Sequence, residues 1–374
     1  MHPWADDRLI YNPLAAHLAP CGRRTPPGPM DHPEIRRLNT LRAIAALIVA
    51  ISHYSNMSGI WGAVLGKGAG QFGVMLFFIL SGFLMSFLYL GRGFEWPSVR
   101  TYAVARLARV WPLFAVVLIS SYVAQRVATS EIAYEIIGWR SLTSHLLLLK
   151  GTSILWTIPV EVQFYLAFIL LWLVAARLGR AWIAICAICI VAPGLLHYPD
   201  LEGRLVGGIE YEFYLSTSLP YFSVGVLFGK LYRSKLLARL PRSPWFALVL
   251  AVVPVLYPPI YLRLFGLEHA MWEDPLVLTL ISSVLFVFIF MVPDSRIVAS
   301  RMGDFLGKIS YSIYLLHLPL VIAMEPIVKG SDIGTFIWMI VFGLATVGLS
   351  ALSYYLIEAP SRRFIRSRLG GHPR

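Results

Sequence analysis

Charge is what this chain has little of. Of its 374 residues only 14% are Asp, Glu, Lys or Arg, while 57% are hydrophobic. A soluble protein of that size carries far more charge. Cysteine is scarce too. Cys21, Cys186 and Cys189 are too few for a disulfide framework. Cys186 and Cys189 form a CxxC, but inside the apolar run AWIAICAICIV, so they read as small buried hydrophobes rather than metal or redox ligands. No metal site and no permanently bound cofactor is expected. The first forty residues, rich in Pro and Arg, contain no apolar signal-peptide core, and no segment repeats at a fixed period. These absences exclude a secreted disulfide scaffold and a repeat array, and no cleavable leader is expected.

What is present is apolar sequence in runs near twenty residues, long enough to cross a bilayer as helix. Ten spans are expected, at about 41–57, 70–91, 102–125, 156–177, 181–198, 214–232, 245–263, 274–293, 309–328 and 334–357. A short apolar piece in 140–151 is too brief to cross and reads as interfacial or re-entrant. The expected fold is therefore all-α, a polytopic membrane helix bundle. Residues 1–35 read as a mobile cytoplasmic tail (a start at Met30 would leave one of ordinary length). Residues 36–366 read as the membrane domain and 367–374 as a second cytoplasmic tail.

The distribution of basic residues sets the orientation. With the N-terminus inside, the inner segments collect Arg36 and Arg37, Arg106 and Arg109, the basic stretch from Lys230 to Arg242, and Arg362 to Arg368. The outer segments hold only Lys67, Arg126, Arg140, Lys150, Arg204, Arg263 and Lys329. Acidic residues gather outside, from Asp200 to Glu212 and from Glu268 to Asp274. Both termini are expected in the cytoplasm. The net charge of +12 follows from this topology, and no nucleic-acid partner is read from it.

Ionisable groups inside a membrane helix are costly and mark candidate sites. The first span, LRAIAALIVAISHYSNM, carries Arg42 near one end and His53 near the other. Eleven residues at 100° each return to within about 20° of the same helix face, roughly 16 Å along the axis. The fourth span starts WTIPVEVQFYL, which places Glu161 at an outer depth like that of His53. Such a pair suits general-base chemistry: neutral His53 takes a hydroxyl proton and Glu161 orients the ring. Arg106 and Arg109 in RLARVWPLF lie three apart on one helix face near the cytoplasm. Paired guanidiniums fit phosphate, although anchoring to anionic lipid explains them as readily.

Gly73, Ser81 and Gly82 in the second span read first as small residues for close helix packing. In the ninth span, Ser310, Tyr314 and His317 make a polar stripe on a helix that Pro319 kinks. Ser81, Tyr165, Ser310, Tyr314 and His317 are the candidate lining of a substrate channel. Glu358 and the Arg362–Arg363 pair read as a salt-bridged cytoplasmic stop.

Six motifs in order carry a family resemblance: LNTLRAIAALIVAISHYS, GVMLFFILSGFL, RLARVWPLF, WTIPVEVQFYL, SYSIYLLHLPL and SYYLIEAPSRRF. Over residues 36–366 the chain resembles acyltransferase family 3, bacterial inner-membrane O-acyltransferases of sugars and surface polysaccharides. The resemblance implies acyl-CoA, usually acetyl-CoA, as a cytoplasmic co-substrate and a carbohydrate acceptor outside, with a polysaccharide biosynthesis or export complex as a possible partner. It implies His53 as catalytic histidine with Glu161 as its acidic partner, and Arg42, Arg106 and Arg109 on the donor. The chain departs from the family at Asn39 and Ala43, where an acid and a glycine are usual, and at Pro159 and Val162, where a serine and a second acid are usual. Many relatives add a C-terminal esterase-like domain. With the chain stopping at Arg374, direct transfer or an external partner is expected. The competing readings are a proton-coupled transporter or lipid-linked sugar exporter using His53, Glu161 and His317 as a relay, and a non-catalytic scaffold.

Overall fold

The computed structural model describes residues 33–127, 133–196, 214–234, 236–265, 274–296, 298–329 and 334–369. Most of the expected N-terminal tail and the acidic stretches 200–212 and 268–273 lie outside them.

Every regular element among the described residues is helical. The chain runs through α1 (Pro33–Ser58), α2 (Ala69–Tyr89), α3 (Trp96–Val127) and the short α4 (Gly138–Leu146). It continues with α5 (Thr157–Arg177), α6 (Ala181–Leu196) and α7 (Tyr214–Ser234). After a 3₁₀ segment over Pro244–Leu256 come α8 (Pro258–Phe265), α9 (Pro275–Phe290) and α10 (Arg301–Lys308). Then follow α11 (Ser310–Lys329), α12 (Thr335–Ser353), a π-helical turn (Tyr354–Glu358) and α13 (Ala359–Leu369). The expected spans coincide with α-helices except 245–263, which is the 3₁₀ segment followed by α8, and the end of 181–198, which lies outside the described residues.

Five described stretches are long and apolar enough to cross a membrane: α2, α3, α5 with the turn before it, α11, and the run Thr335–Leu369. A sixth candidate, Pro244–Leu256 with Pro259–Phe265, is bent by 77°. α6 and α9 are apolar but shorter. α1 and α7 have the length, 26 and 21 residues, but polar side chains such as Arg42, Ser52, His53 and Ser55 dilute the apolar character of α1. This is a multi-pass membrane bundle. The residues that weaken its first helix as a hydropathy signal are those that furnish its interior.

α2 is the central post, packed between α1 and α7. Close approach explains the glycines. A side chain at Gly73 would strike the Ala45 carbonyl of α1, one at Gly82 the Phe222 carbonyl of α7, and one at Gly225 the Ile79 carbonyl in return. In lipid such backbone contact, rather than a hydrophobic driving force, holds helices together. α11 is tied in by tyrosine hydroxyls: Tyr311 donates to the Val110 carbonyl of α3 at 2.7 Å and Tyr314 to the Ile154 carbonyl at 2.8 Å. Arg37 fastens the start of α1 to the end of α9. It donates to the Ile289 carbonyl at 2.9 Å and to Asp294 at 2.7 Å. A guanidinium meeting the last carbonyls of a helix satisfies acceptors that have no partner within that helix.

Candidate active site

Three cavities follow one another through the bundle. The outer one, about 230 Å³, is lined by Ser52, His53, Asn56, Gln71, Trp156 and Tyr314, among others. The middle one is a narrow waist of about 40 Å³ between Phe77, Ser81, Thr157, Glu161 and Tyr314, with Arg42 and Arg109 below. Val74 and Tyr314 border both. The inner cavity, about 230 Å³, shares Arg42, Leu84 and Arg109 with the waist and adds Arg106. His53 above and the expected guanidiniums below thus lie along one path.

His53 Nδ1 lies 2.9 Å from the Val49 carbonyl, one turn back in α1. His317, fully buried on α11, places Nδ1 3.1 Å from the Ile313 carbonyl and Nε2 3.4 Å from His53 Nδ1. A carbonyl only accepts, so each Nδ1 carries the proton and His317 Nε2 offers its lone pair to His53 Nδ1–H. In the neutral ring this leaves His53 Nε2 as the unprotonated nitrogen, the form a general base needs.

Glu161 is not among the hydrogen-bond partners of His53. Both of its hydrogen bonds fall on Oε1, from Ser81 Oγ at 2.8 Å and from Tyr165 Oη at 2.6 Å. Oε2 has no hydrogen-bond partner among the described residues. The expected role of orienting the ring passes to Val49 and His317, because Glu161 opens into the waist below, alongside Arg42 and Arg109. Ser81, read first as a packing residue, is a ligand of that carboxylate.

The other expected channel residues separate by place. Tyr314 lines both upper cavities, and Thr157 Oγ1 donates to its hydroxyl at 3.0 Å. Tyr165 and His317 stand one layer behind, acting through Glu161 and His53. Ser310 lines none of the three cavities: it sits at the start of α11 and donates back to the Gly307 carbonyl at 2.9 Å. Helix-start hydroxyls commonly bond their own backbone in this way.

The inner cavity is the cationic end. Arg42 Nε, Arg106 Nε and Arg109 Nη2 are buried without a hydrogen-bond partner. Arg106 lies over the rings of Tyr89, Tyr102 and Tyr165 at 5.8, 5.9 and 5.9 Å, a cation–π cage that holds the side chain without neutralising it. Buried guanidinium donors left open toward a cavity are costly unless an anion meets them.

The model of the Acyltransferase domain family matches residues 35–355. The chain belongs to that acyltransferase family. The match covers α1 through α12 and ends short of α13.

Among curated relatives, the chain is 25% identical over 369 residues to a Bacillus subtilis (strain 168) protein named "Putative peptidoglycan O-acetyltransferase YrhL", covering 88% of this chain and 55% of the relative. It is 24% identical to a Staphylococcus aureus (strain COL) "Putative O-acetyltransferase", covering 87% and 57%. An Acidianus two-tailed virus "Putative acetyltransferase" is 27% identical over 294 residues, covering 75% of this chain and 82% of that protein. The chain spans little more than half the length of the two bacterial relatives. No solved structure matches it.

Sequence reading missed several residues that the fold brings to the path. Gln71 lines the outer cavity with Oε1 buried and unpartnered. Lys308, Arg362 and Arg366 line the inner one. The i, i+4 spacing of Arg362 and Arg366 was the available signal, since it sets both on one helix face. Gln71 had none.

Proposed function

We propose that this acyltransferase is an O-acetyltransferase of the bacterial inner membrane. It moves an acetyl group from cytoplasmic acetyl-CoA to a hydroxyl of a sugar or surface-polysaccharide unit outside. The reading includes ten crossings with both termini in the cytoplasm, as the basic residues distribute. The observation that carries it is the single path with a neutral imidazole at one end and unpaired guanidiniums at the other.

The donor's phosphates rest on Arg42, Arg106 and Arg109, and its pantetheine arm rises through the waist. The acceptor enters the outer cavity, where Gln71 Oε1 receives one sugar hydroxyl. His53 Nε2 takes the proton of the reacting hydroxyl, and that oxygen attacks the thioester carbonyl. The C–S bond then breaks, and the leaving thiolate takes the proton back from His53. Throughout, the Val49 carbonyl, with His317 Nε2 beside it, holds His53 Nδ1–H, so the ring keeps its tautomer. Glu161 offsets the positive charge of Arg42 and Arg109 where the uncharged arm must pass.

The test is to supply labelled acetyl-CoA to membranes containing the protein. Label is expected in carbohydrate and is lost in His53→Ala at equal protein level. Labelling that survives in His53→Ala would refute the reading. A proton-coupled transporter predicts no label transfer from the wild type at all.

A further inference from the structure

α13, which lies beyond the family match, closes the cytoplasmic side of the inner cavity. The chain reaches it through the π-helical turn, whose extra residue re-aims the helix. That turn buries Glu358 at 1% exposure, where it accepts from Ser312 Oγ at 3.1 Å and from Arg362. The expected stop therefore uses Arg362, while Arg363 is exposed. Arg362 and Arg366, one turn apart, both line the inner cavity.

The charges on this wall do not balance. Seven cationic side chains line the cavity and no carboxylate does: Arg37, Arg42, Arg106, Arg109, Lys308, Arg362 and Arg366. Carboxylates behind the wall neutralise three of them, Asp294 on Arg37, Asp304 on Lys308 and Glu358 on Arg362. Arg42, Arg106, Arg109 and Arg366 have no carboxylate partner among the described residues. Arg362 Nε is also buried and open. Like charges confined in one partly buried space repel strongly, so the cavity is built for a polyanion. Even with Glu161 of the waist set against Arg42 and Arg109, a single phosphate monoester, at about −1.5 to −2, leaves roughly a third to a half of this excess unanswered.

The cations also form an order of depth. Arg42 and Arg109 reach the waist, Arg106 and Arg362 sit below it with buried donors, and Arg366 is exposed at the rim. We infer that α13 completes the donor site, with Arg366 at the rim binding the 3′-phosphate of the donor nucleotide and Arg362 closing on the diphosphate beside Arg106. This rests on the acyl-CoA reading and deepens it. α13 makes the site selective for a full coenzyme over a donor ending in a diphosphate or a lone phosphopantetheine.

Equilibrium binding of CoA and of 3′-dephospho-CoA to the purified full chain in phosphatidylcholine nanodiscs tests this. The wild type should hold CoA about tenfold more tightly than 3′-dephospho-CoA, as one charge-assisted contact implies. Arg366→Gln should erase the difference by weakening CoA alone, whereas Arg42→Gln should weaken both ligands alike. As Arg366 is exposed on a terminal helix, its substitution leaves the bundle intact. Unchanged CoA affinity in Arg366→Gln, or equal weakening of both ligands, overturns the assignment and leaves α13 as a basic anchor on anionic lipid. If the wild type binds neither ligand, the acyl-CoA reading falls and takes this one with it.

Discussion

The outer and inner cavities have the same volume, about 230 Å³ each, and opposite chemistry. The outer one holds no carboxylate and no guanidinium; its polar lining is an imidazole, two amides, one with an unpartnered oxygen, and hydroxyls, set among aromatic and aliphatic faces. Such a lining binds by hydrogen bonds and favours an uncharged, hydroxyl-rich molecule. The inner one is lined by cations and favours a polyanion. Between them the waist, about 40 Å³, admits a thin chain and neither of the molecules at its ends. On the function proposed above, recognition of the donor falls to the inner side and proton transfer to the outer side, and substitutions should separate the two.

The largest expected effect breaks the outer side alone. In His53→Gln the catalytic rate should fall by about 10²–10⁴, the usual worth of a general base, while CoA affinity moves less than twofold. Single-turnover transfer and CoA binding on the same preparation measure both. A parallel loss of CoA binding would mean that the two cavities are not functionally separate. Next comes the inner side. Arg109→Gln, which opens both the waist and the inner cavity, should raise the donor KM by about 10- to 100-fold through loss of a charge-assisted contact. The acceptor KM should stay where it is, as initial rates with either substrate varied will show.

These two residues also mark what was legible beforehand. Helical periodicity put His53 and Arg42 on one face of α1, and Arg106 and Arg109 on one face of α3; the structure brings all four to the path. Spacing within a helix is fixed by its geometry, so such pairs can be read directly. Contacts between helices depend on how each is rotated and seated, which hydropathy does not encode. Hence the 3.4 Å approach of His53 and His317, 264 residues apart in sequence, was not foreseen. Nor was the handing of Glu161 to Ser81 and Tyr165. The polar stripe of α11 is visible in the sequence, but it splits into three roles: Tyr314 lines the path, His317 backs the imidazole of His53, and Ser310 bonds back to the end of α10.

The third prediction concerns that backing. His317 touches the ring and not the reactants, so it is a positioning residue. His317→Leu should lower kcat by about tenfold, the upper value of one buried hydrogen bond behind the ring, with the donor KM unchanged. His317→Asn, whose carbonyl still accepts from His53 Nδ1–H, should recover part of the loss. A merely structural role predicts no such recovery, since asparagine fills the space no better than leucine.

The smallest effect is the most discriminating, because it compares two serines that sequence reading placed together. Ser81 reaches the waist and donates to Glu161 Oε1, which Tyr165 also holds. Ser81→Ala therefore leaves the carboxylate with one of two hydroxyl donors, a loss of about 1 kcal/mol or a factor of about five. That loss should fall on kcat, because the waist positions the thioester rather than gripping the phosphates. Ser310 is the more deeply buried of the two, but its hydroxyl returns to the Gly307 carbonyl and lines none of the three cavities. Ser310→Ala should lower thermal stability slightly and leave both kcat and KM unchanged. Equal kinetic losses in the two variants would mean that burial in the bundle, rather than position on the path, governs the rate. The waist would then have no part in separating recognition from proton transfer.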